Sequence, residues 1–194
     1  MTGEPRWRVA IVDDHLPSRA ELHSAVAEAG GELVGQAQRA AEALAMVTRA
    51  RPDVAIFAVG LPDGDGVTAA AGVITVAQCP VVLFTSHTDD ALVARARTAG
   101  VMACLVKPLR PAEVAPTLDL AIARFRETRA LRQLLEERKI IERAKGRLMD
   151  RLGLSEDEAF RRLRRAAMNS RRPMVDIARA VLVSESVTEG LPAV

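Results

Sequence analysis

The chain has no tyrosine, one tryptophan and four phenylalanines among its 194 residues. So few rings exclude a binding surface built on a sheet of stacked aromatics. Its two cysteines, Cys79 and Cys104, make no disulfide framework and fit no metal-ligand spacing. They read as small apolar residues of a reducing compartment. No run of 18 apolar residues occurs, so no membrane-spanning helix is expected. No apolar stretch follows Met1–Arg6, so no signal peptide is expected and a cytoplasmic location is. Lysine is scarce: Lys107, Lys139 and Lys145 stand against 24 arginines. No nucleophile–base pair or complete metal-ligand set is visible, which argues against an enzyme.

What is present is an apolar fraction of 49%, enough for a core, in a length that suits one or two domains. The net charge of +2 is unevenly placed. Residues 1–116 carry 10 basic and 13 acidic side chains, and residues 117–194 carry 17 and 12. An acidic module joined to one that meets a polyanion would show this asymmetry, although a mildly basic surface also serves solubility.

Short Val/Ile/Leu runs at 8–12, 32–36, 54–59, 80–85 and 102–106 alternate with helical patterns at 17–29, 39–50, 66–77, 89–99 and 111–126. The runs lack polar alternation, so they read as strands covered on both faces. Five such units give an α/β fold, a five-stranded parallel doubly wound domain over 7–120. Its ligands would bind beyond the carboxyl ends of the strands. Asp13, Asp14, Ala58, Thr85 and Lys107 all fall there. From Ala112 to about Asp150 only Pro116 interrupts a long helix, near 35 residues. Leu118, Phe125, Leu131, Leu134 and Ile141 lie at seam spacing with one register shift, which predicts a coiled-coil dimer. Packing of a lone amphipathic helix on its own domain is the competing reading. Gly153 ends the helix, and Ser155 with Glu158 forms a capping box for the next. That helix should run to about Met168, with Phe160 in its core face, and break at Asn169-Ser170. A last helix opens at Pro173 and turns Met174, Ile177, Ala178, Val181 and Leu182 inward. The small three-helix bundle so formed spans 130–183, and a polar tail spans 184–194.

The front module resembles the receiver domain of response regulators, in which an aspartate closing the third strand accepts a phosphoryl group. Phosphoryl transfer needs an in-line oxygen nucleophile and neutralisation of the equatorial oxygens. The resemblance gives the metal side to Asp13 and Asp14, and phosphoryl contacts to Lys107 and Thr85. The acceptor position holds Ala58, whose methyl group cannot take part. Asp53 lies at the wrong end of the strand, roughly 17 Å away. Asp63 and Asp65 read as turn formers. Thr85 or Ser86 would need an adjacent base. Cys104 stands where receivers carry a switch aromatic. With two carboxylates left, Mg²⁺ binding is expected to be no more than weak, and no cofactor is implied.

The rear module, through Ala144-Lys145-Gly146, Glu158-Ala159-Phe160, Leu163-Arg164-Arg165-Ala166-Ala167-Met168 and Arg171-Arg172, resembles the ANTAR domain. The module order matches receiver–ANTAR transcription antiterminators. That resemblance implies binding of nascent RNA at paired hexaloop stem-loops by a homodimer, under a sensor or ligand-binding regulatory protein. Residues 161–172 hold Arg161, Arg162, Arg164, Arg165, Arg171 and Arg172 and no acid. Guanidinium forks bind phosphate and stack on bases, so these six, with Lys145 and Arg147, are the expected RNA contacts. Gly146 costs about 1 kcal/mol relative to alanine in mid-helix, which suggests close approach of a helix or an RNA backbone. A DNA-binding regulator and a partner-regulated interaction protein are the alternatives.

Overall fold

The computed structural model describes residues 5–189, with side chains to Ser184. The expected tail is helical as far as Glu189. Residues 190–194 lie outside the described residues, as do residues 1–4 of the stretch searched for a signal peptide. The chain divides into two compact units, Met1–Glu127 and Thr128–Val194, and each stands here by itself.

The first unit is a parallel sheet with helices on both faces. In chain order its elements are β1 (Arg8–Val12), α1 (Leu16–Glu28), β2 (Glu32–Ala37), α2 (Ala40–Ala50) and β3 (Val54–Ala58). A two-residue hairpin, β4 (Gly60–Leu61) and β5 (Gly64–Asp65), leads into α3 (Gly66–Gly72). A π-turn at Val73–Ala77 prolongs α3, and β6 (Val81–Thr85), α4 (Asp90–Ala99) and β7 (Ala103–Val106) follow. The sheet order is β2-β1-β3-β6-β7, with every pairing parallel. Five strands in a doubly wound order are what the apolar runs predict. The hairpin is not legible in them. It turns the chain sharply: a Cβ added at Gly66 would sit 1.8 Å from the Ala58 carbonyl oxygen, so only glycine fits there.

Both faces of the central strands are buried. Val12, Phe57 and Leu83 meet α2, α3 and α4, while Ile11, Ile56 and Phe84 meet α1 and the start of α5 (Pro111–Leu152). That start supplies Val114, Leu118 and Ile122. Asp119 anchors it from the other side, accepting from Trp7 Nε1 at 3.0 Å and pairing with Arg6. Leu118 is fully buried and Phe125 is 8% exposed in the unit's own core. Both are covered within their own unit, where the heptad reading placed them in a dimer seam. Apolar spacing on a helix says that a face is covered, not by what, and here the sheet covers it.

The second unit packs the rest of α5 against α6 (Glu156–Ser170) and α7 (Met174–Glu189). Its core is Ala144, Leu163 and Ala178, flanked by Ile140, Ile141, Leu148, Ile177 and Val181. Ile141 is therefore partly covered by its own chain. Leu131, Leu134 and Leu135 are not, at 56%, 62% and 59% exposed. The Ser155–Glu158 capping box is present in both directions. Bonds from the Ser155 hydroxyl and backbone hold the Glu158 carboxyl below its usual range. Asn169-Ser170 do not break α6. The Ser170 hydroxyl donates back to the Ala166 carbonyl at 2.7 Å, and the stop falls at Arg171, which adopts the left-handed conformation.

Candidate functional sites: the receiver cleft and the arginine face

A cleft of about 430 Å³ opens at the carboxyl ends of β1, β3, β6 and β7. Asp13, Asp14, Ala58, Thr85 and Lys107 all line it, so the structure brings together the five positions that the sequence put on one edge. Asp13 is 1% exposed. Its carboxylate accepts from the His15 backbone N–H at 2.8 Å and from Lys107 Nζ at 3.4 Å. Its carbonyl accepts from the buried Arg19 guanidinium at 2.7 Å. Lys107 also donates to the Ser18 hydroxyl at 2.9 Å and lies 4.6 Å from the centre of the Phe84 ring. Ser18 is in turn 2.8 Å from His15 Nδ1, the ring that caps α1. The Lys107–Pro108 bond is cis.

The groups that would serve a phosphoryl group are thus occupied internally. The Thr85 hydroxyl donates to the His87 carbonyl at 2.9 Å and accepts from the His87 N–H at 3.2 Å. Ala58 is 5% exposed at the end of β3. None of the nearby acids replaces it. Asp53 accepts from the Arg8 N–H at 2.9 Å, at the far end of the strand. Asp63 caps α2 through the Ala40 and Ala41 N–H groups, and the Ala41 bond leads the causes that lower its pKa. Asp65 caps α3 and pairs with Arg95 at 2.6 Å. Burial raises its pKa, but the Arg95 and Thr68 bonds outweigh this and leave it lowered. One hydroxyl does have a base beside it, which the sequence reading passed over: the exposed Ser86 Oγ is 2.8 Å from His87 Nδ1.

Mg²⁺ is the ion that this fold implies, and the residues do not fit it. Among the described residues no group of three or more His, Cys, Asp or Glu side chains is placed to hold a metal. Of the three carboxylates that line the cleft, Asp13 is already paired with Lys107, and Asp89 caps α4 by accepting from the Leu92 N–H at 2.7 Å. Cys104, at the switch-aromatic position, is half-buried in β7, and burial raises its thiol pKa.

On the second unit, the six arginines of α6 and its C-terminal turn are all exposed. Arg161 bonds back to the Asp157 carbonyl at 3.3 Å. The side chains of Arg162, Arg164, Arg165, Arg171 and Arg172 enter no ion pair or hydrogen bond among the described residues. Arg147 is exposed on α5. Lys145 is not the free cation that the sequence suggested. It is 7% exposed, and its Nζ donates to Glu142 at 2.8 Å and to Glu156 at 2.7 Å. The Glu142 bond, then the Glu156 bond, raises the Lys145 pKa, and Lys145 lowers that of Glu156. Since Glu156 opens α6, Lys145 is a clamp between α5 and the first turn of α6, where a carboxylate also suits the helix dipole. Sequence could not show this, because the acid it meets is 11 residues away. Gly146 has nothing within 4 Å of an added Cβ, so no neighbouring helix explains it among the described residues. Phe160, expected in the core, is 38% exposed.

A parallel five-stranded sheet with this cleft, followed by a helical unit with an exposed arginine face, defines a two-module response regulator. The family model for the response regulator receiver domain matches residues 9–119, and that for the ANTAR domain matches residues 129–182. The chain is 39% identical over 182 residues to the transcriptional regulatory protein PdtaR of Mycobacterium tuberculosis, covering 90% of this chain and 89% of that one. It is 36% identical over 110 residues to the DNA-binding transcriptional activator DevR/DosR of the same organism, covering 56% of this chain and 51% of the other. Among solved structures, the receiver domain of the putative response regulator NarL from M. tuberculosis superposes with a TM-score of 0.56 at 30% identity. That match covers 60% of this chain and 97% of the domain. The chain belongs to the ANTAR response regulators. No helix among its described residues is long and apolar enough to cross a membrane.

Proposed function

We propose that this chain is an RNA-binding transcription antiterminator whose receiver works without aspartyl phosphorylation. The observation that carries the RNA reading is the α6 surface. Five arginines without partners among the described residues sit on an ANTAR fold, in a stretch free of acids from Ala159 to Val175. Such a surface meets a polyanion, and guanidinium planes suit the unstacked bases of RNA loops. The receiver reading rests on Ala58 and on the internal engagement of Lys107 and Thr85. With no acceptor carboxylate, the input comes from a partner protein that docks on the receiver. The exposed Leu131, Leu134 and Leu135 of α5 suit a homodimer, whose two arginine faces would engage paired loops through avidity. The site of action is the cytoplasm.

The test is binding of a hairpin RNA with unpaired loop bases against the same sequence as duplex DNA, at several stated salt concentrations. Tighter binding of the hairpin is expected, with affinity falling as salt rises. Preference for duplex DNA would favour a DNA-binding regulator, and no binding to either would favour an interaction protein.

A further inference from the structure

The chain has five aromatic residues, and four of them, Trp7, Phe57, Phe84 and Phe125, are at most 8% exposed. Phe160 is 38% exposed and does not belong to the cluster around Ala144, Leu163 and Ala178. Its surroundings give the exposure a direction. An α-helix turns about 100° per residue. Ala159 and Leu163 face the core, so Phe160, Arg164 and Met168, at spacings of four, run as one strip along the rim of the outward face. Met168 is 69% exposed. Arg161 and Arg165 lie beside the strip. The acids of α6 stand in the turn before the ring, where Glu158 lies near Arg161, and the following three turns carry none. An exposed ring beside Arg164 and Arg165, which no acid of those three turns neutralises, is a poor protein-binding patch. It suits a ligand that brings its own negative charge together with a flat apolar face. An unpaired nucleobase on a phosphate backbone is such a ligand.

We infer that Phe160 is the stacking platform for one unpaired loop base, with Arg164 holding the adjoining phosphate. This rests on the RNA reading above and adds the position at which a base is bound. Phosphate contacts set charge and salt dependence, whereas a stacked ring adds affinity with no charge. Phe160 and the arginines therefore separate by experiment.

The full-length chain is titrated with a hairpin RNA and with versions made abasic at each loop position in turn. Phe160→Ala should weaken hairpin binding about ten- to hundredfold and leave the salt slope unchanged. One abasic position should weaken the wild type to the level of Phe160→Ala and cost the variant nothing further. Phe160→Trp should retain affinity, and its emission should be quenched by a loop 2-aminopurine; the wild type, whose single Trp7 is buried, serves as the blank. Arg164→Ala should reduce the magnitude of the slope by about 0.7 for a single-stranded contact. Full affinity in Phe160→Ala with normal helicity overturns the inference and leaves the RNA reading intact. So does a loss of affinity that comes with a changed sedimentation coefficient, which would place Phe160 in a protein interface. A wild type without hairpin preference removes both.

Discussion

Restoring the missing carboxylate is the sharpest perturbation of the first unit. In Ala58→Asp the new side chain starts from the end of β3 and enters the cleft beside Asp13, Asp14 and Lys107. Like charges in contact repel by about 4 kcal/mol at an effective dielectric of 20, and the Lys107 ammonium, 3.4 Å from Asp13, offsets only part of this. The variant should therefore melt below the wild type in the absence of divalent cations. Mg²⁺ relieves the repulsion. At a hundred times its Kd it contributes about 2.7 kcal/mol, or roughly 10 °C in Tm for a domain of this size. The wild type, with Asp13 paired and Asp14 alone, should shift by no more than a degree or two, about a fifth of that.

The chemistry is then read by intact mass after incubation with acetyl phosphate and Mg²⁺. One phosphoryl group, about 80 Da, should appear on Ala58→Asp and none on the wild type. A phosphorylated wild type would refute the reasoning, and the Ser86–His87 pair, 2.8 Å apart, is where the phosphoryl group should then be sought. A variant that gains the Mg²⁺ shift but no mass would show that Lys107 and Thr85 stay locked in their internal bonds.

Four further outcomes are expected. Lys145→Met should lower the melting temperature of the helical unit, because it breaks the tie between α5 and α6, whereas Arg165→Ala should lower RNA affinity with melting unchanged. If the proposed homodimer forms through the exposed leucines of α5, Leu134→Glu should lower its association in sedimentation, while Leu118→Ala should leave association alone and cost about 2–5 kcal/mol in urea unfolding of the first unit. Gly146→Ala meets open space, so it should stabilise by about 1 kcal/mol; a simultaneous fall in RNA affinity would assign the glycine to backbone approach by RNA. Burial, with the Asp53 carboxylate adding to it, pushes the Cys79 thiol up to about 12 from an ordinary 9.0. The folded state holds that proton more tightly, so its stability is complete below pH 9.0 and declines as pH rises toward about 12. Urea unfolding at pH 8 and pH 11 should show a drop about 2–3 kcal/mol larger in the wild type than in Cys79→Ala.

The strands were legible because β1, β3 and β6 are covered on both faces, and a buried parallel strand leaves an unbroken apolar run. The cleft followed from them, since one edge collects every strand end. What the sequence misplaced lies where two covers have the same signature. Leu118 and Phe125 have the spacing of a coiled-coil seam, but a sheet buries such a stripe as well as a second helix does. Lys145 looked exposed because its neighbours are charged, but its ammonium is held by Glu142 on its own helix and by Glu156 eleven residues on. Phe160 looked buried because it is aromatic, but on α6 it falls beside the core stripe of Ala159 and Leu163 rather than on it. Helical spacing alone separates these cases by one residue, which is the margin of error of any boundary.

The two units differ in how their polar groups are satisfied, and the difference bears on control. In the cleft Lys107 donates to both Asp13 and Ser18, Thr85 is closed on its own turn, and Asp13 is bonded through its carboxylate and its carbonyl. Polar groups satisfied internally are costly to rearrange, because a buried one that loses its partner forfeits about 1–3 kcal/mol. A receiver so closed has a methyl group at the position of the acceptor carboxylate and internal bonds that oppose a change of state. Arg162, Arg164 and Arg165 of α6 are the reverse: exposed, without partners among the described residues, and losing little when a ligand arrives. Control of such a chain is best exerted on access to the second unit. Docking on the receiver surface or association through the exposed leucines of α5 would do so, and neither requires the cleft to open.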